Sequence, residues 1–270
     1  MKKLRILSLI LALVMIFTVG CSTAEEPAPA DNDQEVIAKT EEETPEATDD
    51  TEESSVVADA AVKFLANIPD DIYMIGSTDL FAKMDAGEEM FILDVRQNDV
   101  YSESHLKGAV NVPWGPDFAS QISNLPADKT IYLYCYSGQT ANQTNAMLNI
   151  LGYDAKSVKY GWNFGISATE GYEAYSEADA NEFGDETALD LHPEIFEAVD
   201  AYFSGLADVA DGMFKNYKIC EDNANANIGN EDFYYLSIRQ LKDYNNGHIP
   251  TAMNIPYGKD MVNELDTLPM

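Results

Sequence analysis

The chain repeats itself, and the repeat bounds what it can fold into. The run Phe91-Ile92-Leu93-Asp94-Val95-Arg96-Gln97 returns as Tyr234-Tyr235-Leu236-Ser237-Ile238-Arg239-Gln240. His105, Asn111, Pro113, Gly115 and Leu125-Pro126 then fall on His248, Asn254, Pro256, Gly258 and Leu268-Pro269, every one 143 positions later. A register held across so many landmarks marks one supersecondary unit used twice, not shared composition. The 270 residues therefore hold one complete domain and the beginning of a second copy.

Within the first unit, helical spacing over 78–86, 99–105, 118–125 and 141–151 alternates with short β-prone runs at 91–95, 109–112, 131–134 and 155–158. Helices at 61–68 and 193–206 are expected to introduce the two copies. Strands alternating with helices predict an α/β fold whose parallel sheet is covered on both faces. In such sheets the site lies at the carboxyl ends of the strands.

One stretch occupies that position. Ile131-Tyr132-Leu133-Tyr134 delivers Cys135 into the loop Tyr136-Ser137-Gly138-Gln139-Thr140, and Ala146, Met147, Ile150 and Leu151 then recur at helical spacing up to Gly152. Loop N–H groups and the positive end of the following helix face the sulfur in such an arrangement and favour thiolate, the nucleophilic form. The alternative is a small buried hydrophobe at a strand end. A loop of small polar residues around a glycine suits close approach of a ligand better than core packing.

At the start, Lys2, Lys3 and Arg5 precede an apolar run from Ile6 to Val19 and then Gly20-Cys21-Ser22. This is the layout of an export signal, too short to span a bilayer comfortably. It is similar to bacterial lipoprotein signals, which implies removal of residues 1–20 and lipidation of Cys21, although Thr18 stands where such signals usually carry leucine. An ordinary secretory signal with an incidental cysteine is the alternative. Residues 22–60 carry 14 acidic residues against Lys39 alone and no apolar periodicity, which predicts an extended acidic tether over 21–60. Residues 61–270 keep 33 acidic residues against 12 basic ones, so the folded part is itself acidic. Nucleic acid is thereby excluded as a partner, and attachment to the membrane is left to lipid rather than charge. The sequence thus reads as an exported protein, lipid-anchored on the extracytoplasmic side of the cell membrane.

Taken in order, Asp94-Val95-Arg96, the run from His105 to Pro113, Cys135-Tyr136-Ser137-Gly138-Gln139-Thr140, Leu151-Gly152-Tyr153-Asp154 and Gly161-Trp162 resemble the rhodanese family. The resemblance covers about residues 73–165, and in part 217–270. It implies a rhodanese-like domain at 61–170 with a parallel five-stranded sheet between helices, a linker with a helix at 171–212, and a partial second domain at 213–270. It also implies a sulfurtransferase that needs no cofactor. Cys135 would take sulfane sulfur from a small donor as a persulfide and pass it to a thiol acceptor, with Tyr136, Ser137, Gly138, Gln139 and Thr140 as the cradle. Asp94 and Arg96 read as an ion pair pinning loops to the sheet, His105 as part of the turn into the next strand, and Trp162 as packing near the sheet edge. With only His105, His192 and His248 in the chain, no metal site is expected.

No residue from Tyr136 to Tyr153 is basic, so polysulfide or a protein persulfide stands beside thiosulfate as donor. The same absence argues against a cysteine phosphatase, which clamps a phosphate dianion with a loop arginine. The competing class is a non-catalytic binding module of the same fold in which Cys135 is idle. The counterpart of Cys135 would fall past Met270, and Ser237 stands in place of Asp94, so the second copy is not expected to carry the chemistry. Half a parallel sheet has an open edge, which predicts either a fragment of a longer tandem protein or a half domain packed on the first. Cys220 has no counterpart; it reads as an incidental thiol, or as an oxidation partner for Cys135 outside the cytoplasm.

Overall fold

Parallel pairing organises the computed structural model, which describes residues 55–269; the signal segment, Cys21 and the tether up to residue 54 lie outside the described residues. In chain order the elements are α1 (Val56–Ala66), β1 (Met74–Ile75), α2 (Ser77–Asp85), β2 (Phe91–Asp94), α3 (Asn98–Glu103), β3 (His105–Leu106) and β4 (Val110–Asn111). A 3-10 turn (Phe118–Asn124) leads to β5 (Ile131–Tyr134), α4 (Gln139–Leu151), β6 (Ala155–Val158), a π-helical turn (Gly161–Ile166) and β7 (Ser176–Glu177). Then follow α5 (Pro193–Ser204), α6 (Glu221–Ala226), β8 (Leu236–Ser237), α7 (Leu241–Asn246) and β9 (Met253–Asn254).

Five strands form one sheet in the order β1-β6-β5-β2-β4, parallel throughout, with β5 and β2 at its centre. The pleat sorts their side chains between two layers, because successive residues of a strand point to opposite faces. Ile131, Leu133 and Cys135 join Phe91, Leu93 and Val95 in one cluster, against the 3-10 turn, α4 and α5. Tyr132, Tyr134 and Ile92 join Leu80, Phe81 and Tyr101 in the other, beneath α2 and α3. Both faces are covered, so every residue of β2 and β5 is buried. Leu133→Ala at this centre would cost about 2–5 kcal/mol.

The strands expected at 131–134 and 155–158 have those bounds, and the helices expected at 78–86, 99–105 and 141–151 are α2, α3 and α4. Three features differ. The helix expected at 61–68 starts at Val56, because the Ser55 side chain accepts the Ala58 N–H at 3.1 Å and caps it, so its first turn lies within the stretch read as tether. The segment 118–125 is a 3-10 turn rather than an α-helix. The sheet also has an edge strand, β1, that two residues of hydrogen bonding to Ser157 and Val158 define; a strand so short has no periodicity to read.

The C-terminal segment reproduces one corner of this sheet. β8 pairs with β9 in parallel at Leu236–Met253 and Ser237–Asn254, each residue 143 beyond its counterpart in the β2–β4 pairs Leu93–Val110 and Asp94–Asn111. Asn111 Nδ2 donates to the carbonyls of Asp94 and Arg96, and Asn254 Nδ2 to those of Ser237 and Arg239. The Tyr101 hydroxyl donates to Ala109 O and Tyr244 to Ala252 O, both at 2.7 Å. Each tyrosine ring stacks on its histidine, His105 or His248, at 3.7 Å.

Candidate active site

Cys135 leaves β5 at the carboxyl end of the sheet, its side chain 2% exposed. The chain then turns through Gly138, whose φ of +96° suits only a residue without Cβ, and enters α4. That turn aims the Gly138 N–H back at the sulfur, which accepts it at 3.2 Å. The first N–H groups of a helix lack partners within it, so the head of α4 adds donors and positive potential on the same side.

The loop is fixed from behind by the chain after β6. Trp162 N–H donates to Cys135 O at 2.7 Å and Asn163 N–H to Tyr136 O at 2.8 Å. Gly161 permits this approach: a Cβ there would lie 2.5 Å from Cys135 O and 2.8 Å from Gly138 N. Gly161 and the N–H groups of Trp162 and Asn163 are the supporting residues that sequence reasoning left without a role. The available signal was a glycine shortly after the strand expected at 155–158, in the pair Gly161-Trp162.

The cradle side chains divide. Ser137 and Gln139 are exposed, Thr140 is buried, and Tyr136 is partly exposed with its hydroxyl accepting the Gln97 N–H at 3.3 Å. Asp94 and Arg96 are both buried. They form a buried ion pair in which Arg96 Nε and Nη2 donate to the Asp94 carboxylate, Nη2 at 2.6 Å, while Nη2 also donates to Ser104 O at 2.7 Å. Burial alone would depress the Arg96 guanidinium, but the hydrogen bond and charge of Asp94 hold it above its ordinary range. Trp162 lies 4.2 Å beneath that guanidinium, so it closes the ion pair's pocket while packing on Tyr134. Burial likewise pushes the Tyr134 phenol well up, and its oxygen accepts the Leu106 N–H at 3.0 Å.

His105 is fully buried in β3, with Nδ1 2.7 Å from Tyr101 O and Nε2 3.0 Å from Asp179 O. The return segment supplying Asp179 also pairs β7 antiparallel with β3, at His105–Glu177. Lys107 Nζ donates to Ala174 O at 2.6 Å. Lys159, directly after β6, is exposed, and its N–H donates to Ile75 O at 2.9 Å. Cys135 and Cys220 are both free thiols, Cys135 buried and Cys220 exposed. Among the described residues, no cluster of three His, Cys, Asp or Glu side chains could hold a metal, and no helix is long and apolar enough to cross a membrane.

A thiol at the carboxyl end of the central strand of a parallel α/β sheet, with a backbone donor on its sulfur and a helix opening beneath it, defines a class of cysteine site. Residues 77–168 match the family model described as the Rhodanese-like domain. Two similar proteins are a putative sulfur carrier protein, YrkF, of Bacillus subtilis, 30% identical over 71 residues, and the thiosulfate sulfurtransferase PspE of Escherichia coli, 32% identical over 63 residues. The first alignment covers 26% of this chain and 38% of the relative, the second 23% and 60%. The chain thus spans less than two thirds of the length of either. The solved thiosulfate sulfurtransferase of Pseudomonas aeruginosa is 18% identical with a TM-score of 0.36, covering 76% of this chain and 38% of that one. Residues 77–168 are thus similar to a rhodanese-like domain, and the relatives of this stretch include a sulfurtransferase.

Proposed function

We propose that the protein is an extracytoplasmic sulfurtransferase that carries sulfane sulfur as a persulfide on Cys135. The observation that carries this reading is the Gly138 N–H on Cys135 Sγ at 3.2 Å, at the head of α4. In the first half-reaction the Cys135 thiolate attacks the outer sulfur of the donor. The donor's sulfur–sulfur bond breaks, and its electron pair leaves with sulfite from thiosulfate, or with a shortened chain from polysulfide. In the second, an acceptor thiolate attacks the outer sulfur of the Cys135 persulfide and restores the Cys135 thiolate. Both half-reactions place negative charge on sulfur within the loop, where preorganised N–H donors stabilise it without reorganising. Gly138, Gln139 and Thr140 supply this environment through their backbone, with Gln139 and Ser137 as the side chains open to a donor.

In the same reading residues 1–20 are an export signal, Cys21 carries the lipid that holds the protein to the membrane, and residues 213–270 are a partial second copy of the domain. The equal spacing of the repeated contacts in the two β corners supports the copy. The basic start, short apolar run and Gly20-Cys21-Ser22 junction support the anchor. Cys21→Ala should release the protein from membranes or leave it unprocessed, as fractionation and intact mass would read. A lipid-free mature protein beginning at another residue would end that part of the proposal.

A second reading rests on the burial of Cys135, at 2% exposure: the same fold docks a partner and the thiol is idle. Alkylation separates the two. A cradle-activated thiolate reacts fast with iodoacetamide at mildly acid pH to give a thioether, and after loading with polysulfide its outer sulfur takes the alkyl group, with loss of iodide, as a disulfide that a reductant cleaves; an idle thiol reacts slowly under both conditions.

A further inference from the structure

Among the described residues, the exposed large apolar side chains between 77 and 168 are Tyr136, Tyr160 and Phe164, and all three border the cysteine loop. Tyr136 follows Cys135 directly. The Tyr160 backbone runs against the loop: a Cβ on Gly138 would lie 3.5 Å from its N. Phe164 belongs to the π-helical turn whose Trp162 and Asn163 N–H groups hold Cys135 O and Tyr136 O, and such turns cluster at functional sites. Tyr160 and Phe164 are each 68% exposed. Tyr160 also has a φ of +64°, a left-handed conformation that glycine adopts without strain and a bulky residue does not. A strained backbone that holds a ring out in water has no explanation in packing. These rings follow β5 and β6 at the carboxyl end of the sheet, whereas the C-terminal segment meets the chain ahead of β1, where Ile72 shares a cavity with Ile255 and Tyr257. The same edge is acidic: Asp79, Asp99 and Asp117 stand exposed a few residues beyond the ends of β1, β2 and β4, against exposed Lys159 after β6.

We propose that this aromatic rim docks the sulfur acceptor, and that the acceptor is a protein whose cysteine stands among apolar and basic residues. The inference rests on Cys135 as the sulfur carrier and names the class of partner that unloads it. Cys135 is buried, so its persulfide meets the mouth with the outer sulfur first, and whatever carries the incoming thiolate must rest on the residues around that mouth. The acceptor thiolate attacks the outer sulfur, the sulfur–sulfur bond breaks with its electron pair left on Cys135, and the partner leaves as the persulfide. Exposed aromatic rings supply a large contact area with few rotatable bonds, which suits a protein surface. Three carboxylates against one lysine attract basic side chains and repel a small anionic thiol such as glutathione. They repel an anionic lipid surface for the same reason.

The test compares two acceptors on the full chain, loaded with polysulfide and freed of excess donor. One is an acetylated and amidated peptide of lysine, leucine, cysteine, phenylalanine and lysine in that order; the other is glutathione. Transfer is read by intact mass as loss of the Cys135 adduct, at equal thiolate concentration. The peptide should unload Cys135 at least about tenfold faster than glutathione, and added salt should narrow the gap. Tyr160→Gly, which relieves the left-handed backbone, and Phe164→Ala, at an exposed position, should each cut the peptide's advantage several-fold. The same peptide with serine in place of cysteine should inhibit transfer to the peptide thiol in the wild-type chain more strongly than in either variant. Equal rates for the two acceptors, or an advantage that both substitutions leave intact, would overturn the proposal while Cys135 still loads. Failure of Cys135 to load at all would instead overturn the sulfurtransferase reading, and the identity of the partner with it. Binding to phosphatidylcholine vesicles that Phe164→Ala abolishes would also overturn the proposal, by assigning the rim to a membrane.

Discussion

Two corners of the molecule share a register and differ in what surrounds them. In the first, β2 and β4 lie within a five-stranded sheet, and β5, the π-helical turn and the return segment around β7 enclose Arg96 and His105 completely. In the second, β8 and β9 form a sheet of two, and Arg239 and His248 are exposed. The local contacts survive in both: asparagine to two carbonyls, tyrosine to an alanine carbonyl, tyrosine against histidine. The β-turn-β corner is thus specified by its own short stretch of sequence, whereas burial of its charges comes from elements far along the chain. The counter-ion follows the burial. An enclosed guanidinium requires Asp94, since an unpaired buried charge costs several kcal/mol. An exposed one tolerates Ser237.

The contrast is sharpest at these two positions. Asp94→Ala should destabilise the protein by about 3–5 kcal/mol, by leaving Arg96 buried and unpaired. Ser237→Asp, which creates the same pair in the open corner, should change stability by no more than about 1 kcal/mol. Urea denaturation of the two variants makes the comparison, and similar effects at both sites would break it.

Glycines allow a second contrast. Gly161→Ala puts a Cβ 2.5 Å from Cys135 O, at a φ of +58°, and should cut sulfur-transfer kcat/KM by at least about tenfold through displacement of the loop. Gly258→Ala has open space around its Cβ and should leave stability within about 0.5 kcal/mol of wild type. Transfer assays and thermal melts on the two variants decide it.

Charge at the mouth is a smaller lever. Gln139, the first residue of α4, is exposed while Thr140 is buried, so Gln139→Arg is the substitution that adds a usable cation. It should raise kcat/KM for thiosulfate several-fold relative to polysulfide, an advantage that added salt narrows. An unchanged ratio would show that charge at the loop does not set the choice of donor.

The least effect concerns acid. Burial pushes the Glu177 carboxyl up, but the Asn181 amide, the Gly108 N–H and the neighbouring His105 and Lys107 outweigh it and leave Glu177 below its ordinary value of 4.5. A carboxyl lowered by folding stabilises the native state above its unfolded pKa, and that contribution fades as pH falls through the lower, folded value. Glu177→Gln should therefore lower Tm slightly at pH 7, with the deficit shrinking as pH falls below 4.5.

What the sequence disclosed follows the same division. β5, β6 and α4 were legible because apolar periodicity and a stop glycine belong to each segment alone. The cysteine loop was legible because six consecutive residues compose it. β1, the π-helical turn and the return segment that holds His105 were not, because they are two to six residues long and are fixed by partners distant in the chain, such as Ser157 for Met74, Cys135 for Trp162 and Asp179 for His105. The Asp94–Arg96 pair could be read from its spacing, but its enclosure by Trp162 could not.

The central claim is that Cys135 carries sulfur, and intact mass spectrometry tests it most directly. After incubation with thiosulfate or polysulfide and removal of excess donor, the wild-type chain should be heavier by one sulfur atom, localised to the peptide containing Cys135 and lost on addition of a thiol acceptor. Cys135→Ser, a nearly isosteric change, should stay folded and gain nothing. A sulfur adduct on Cys220 instead, or undiminished loading of the Cys135→Ser variant, would contradict the account.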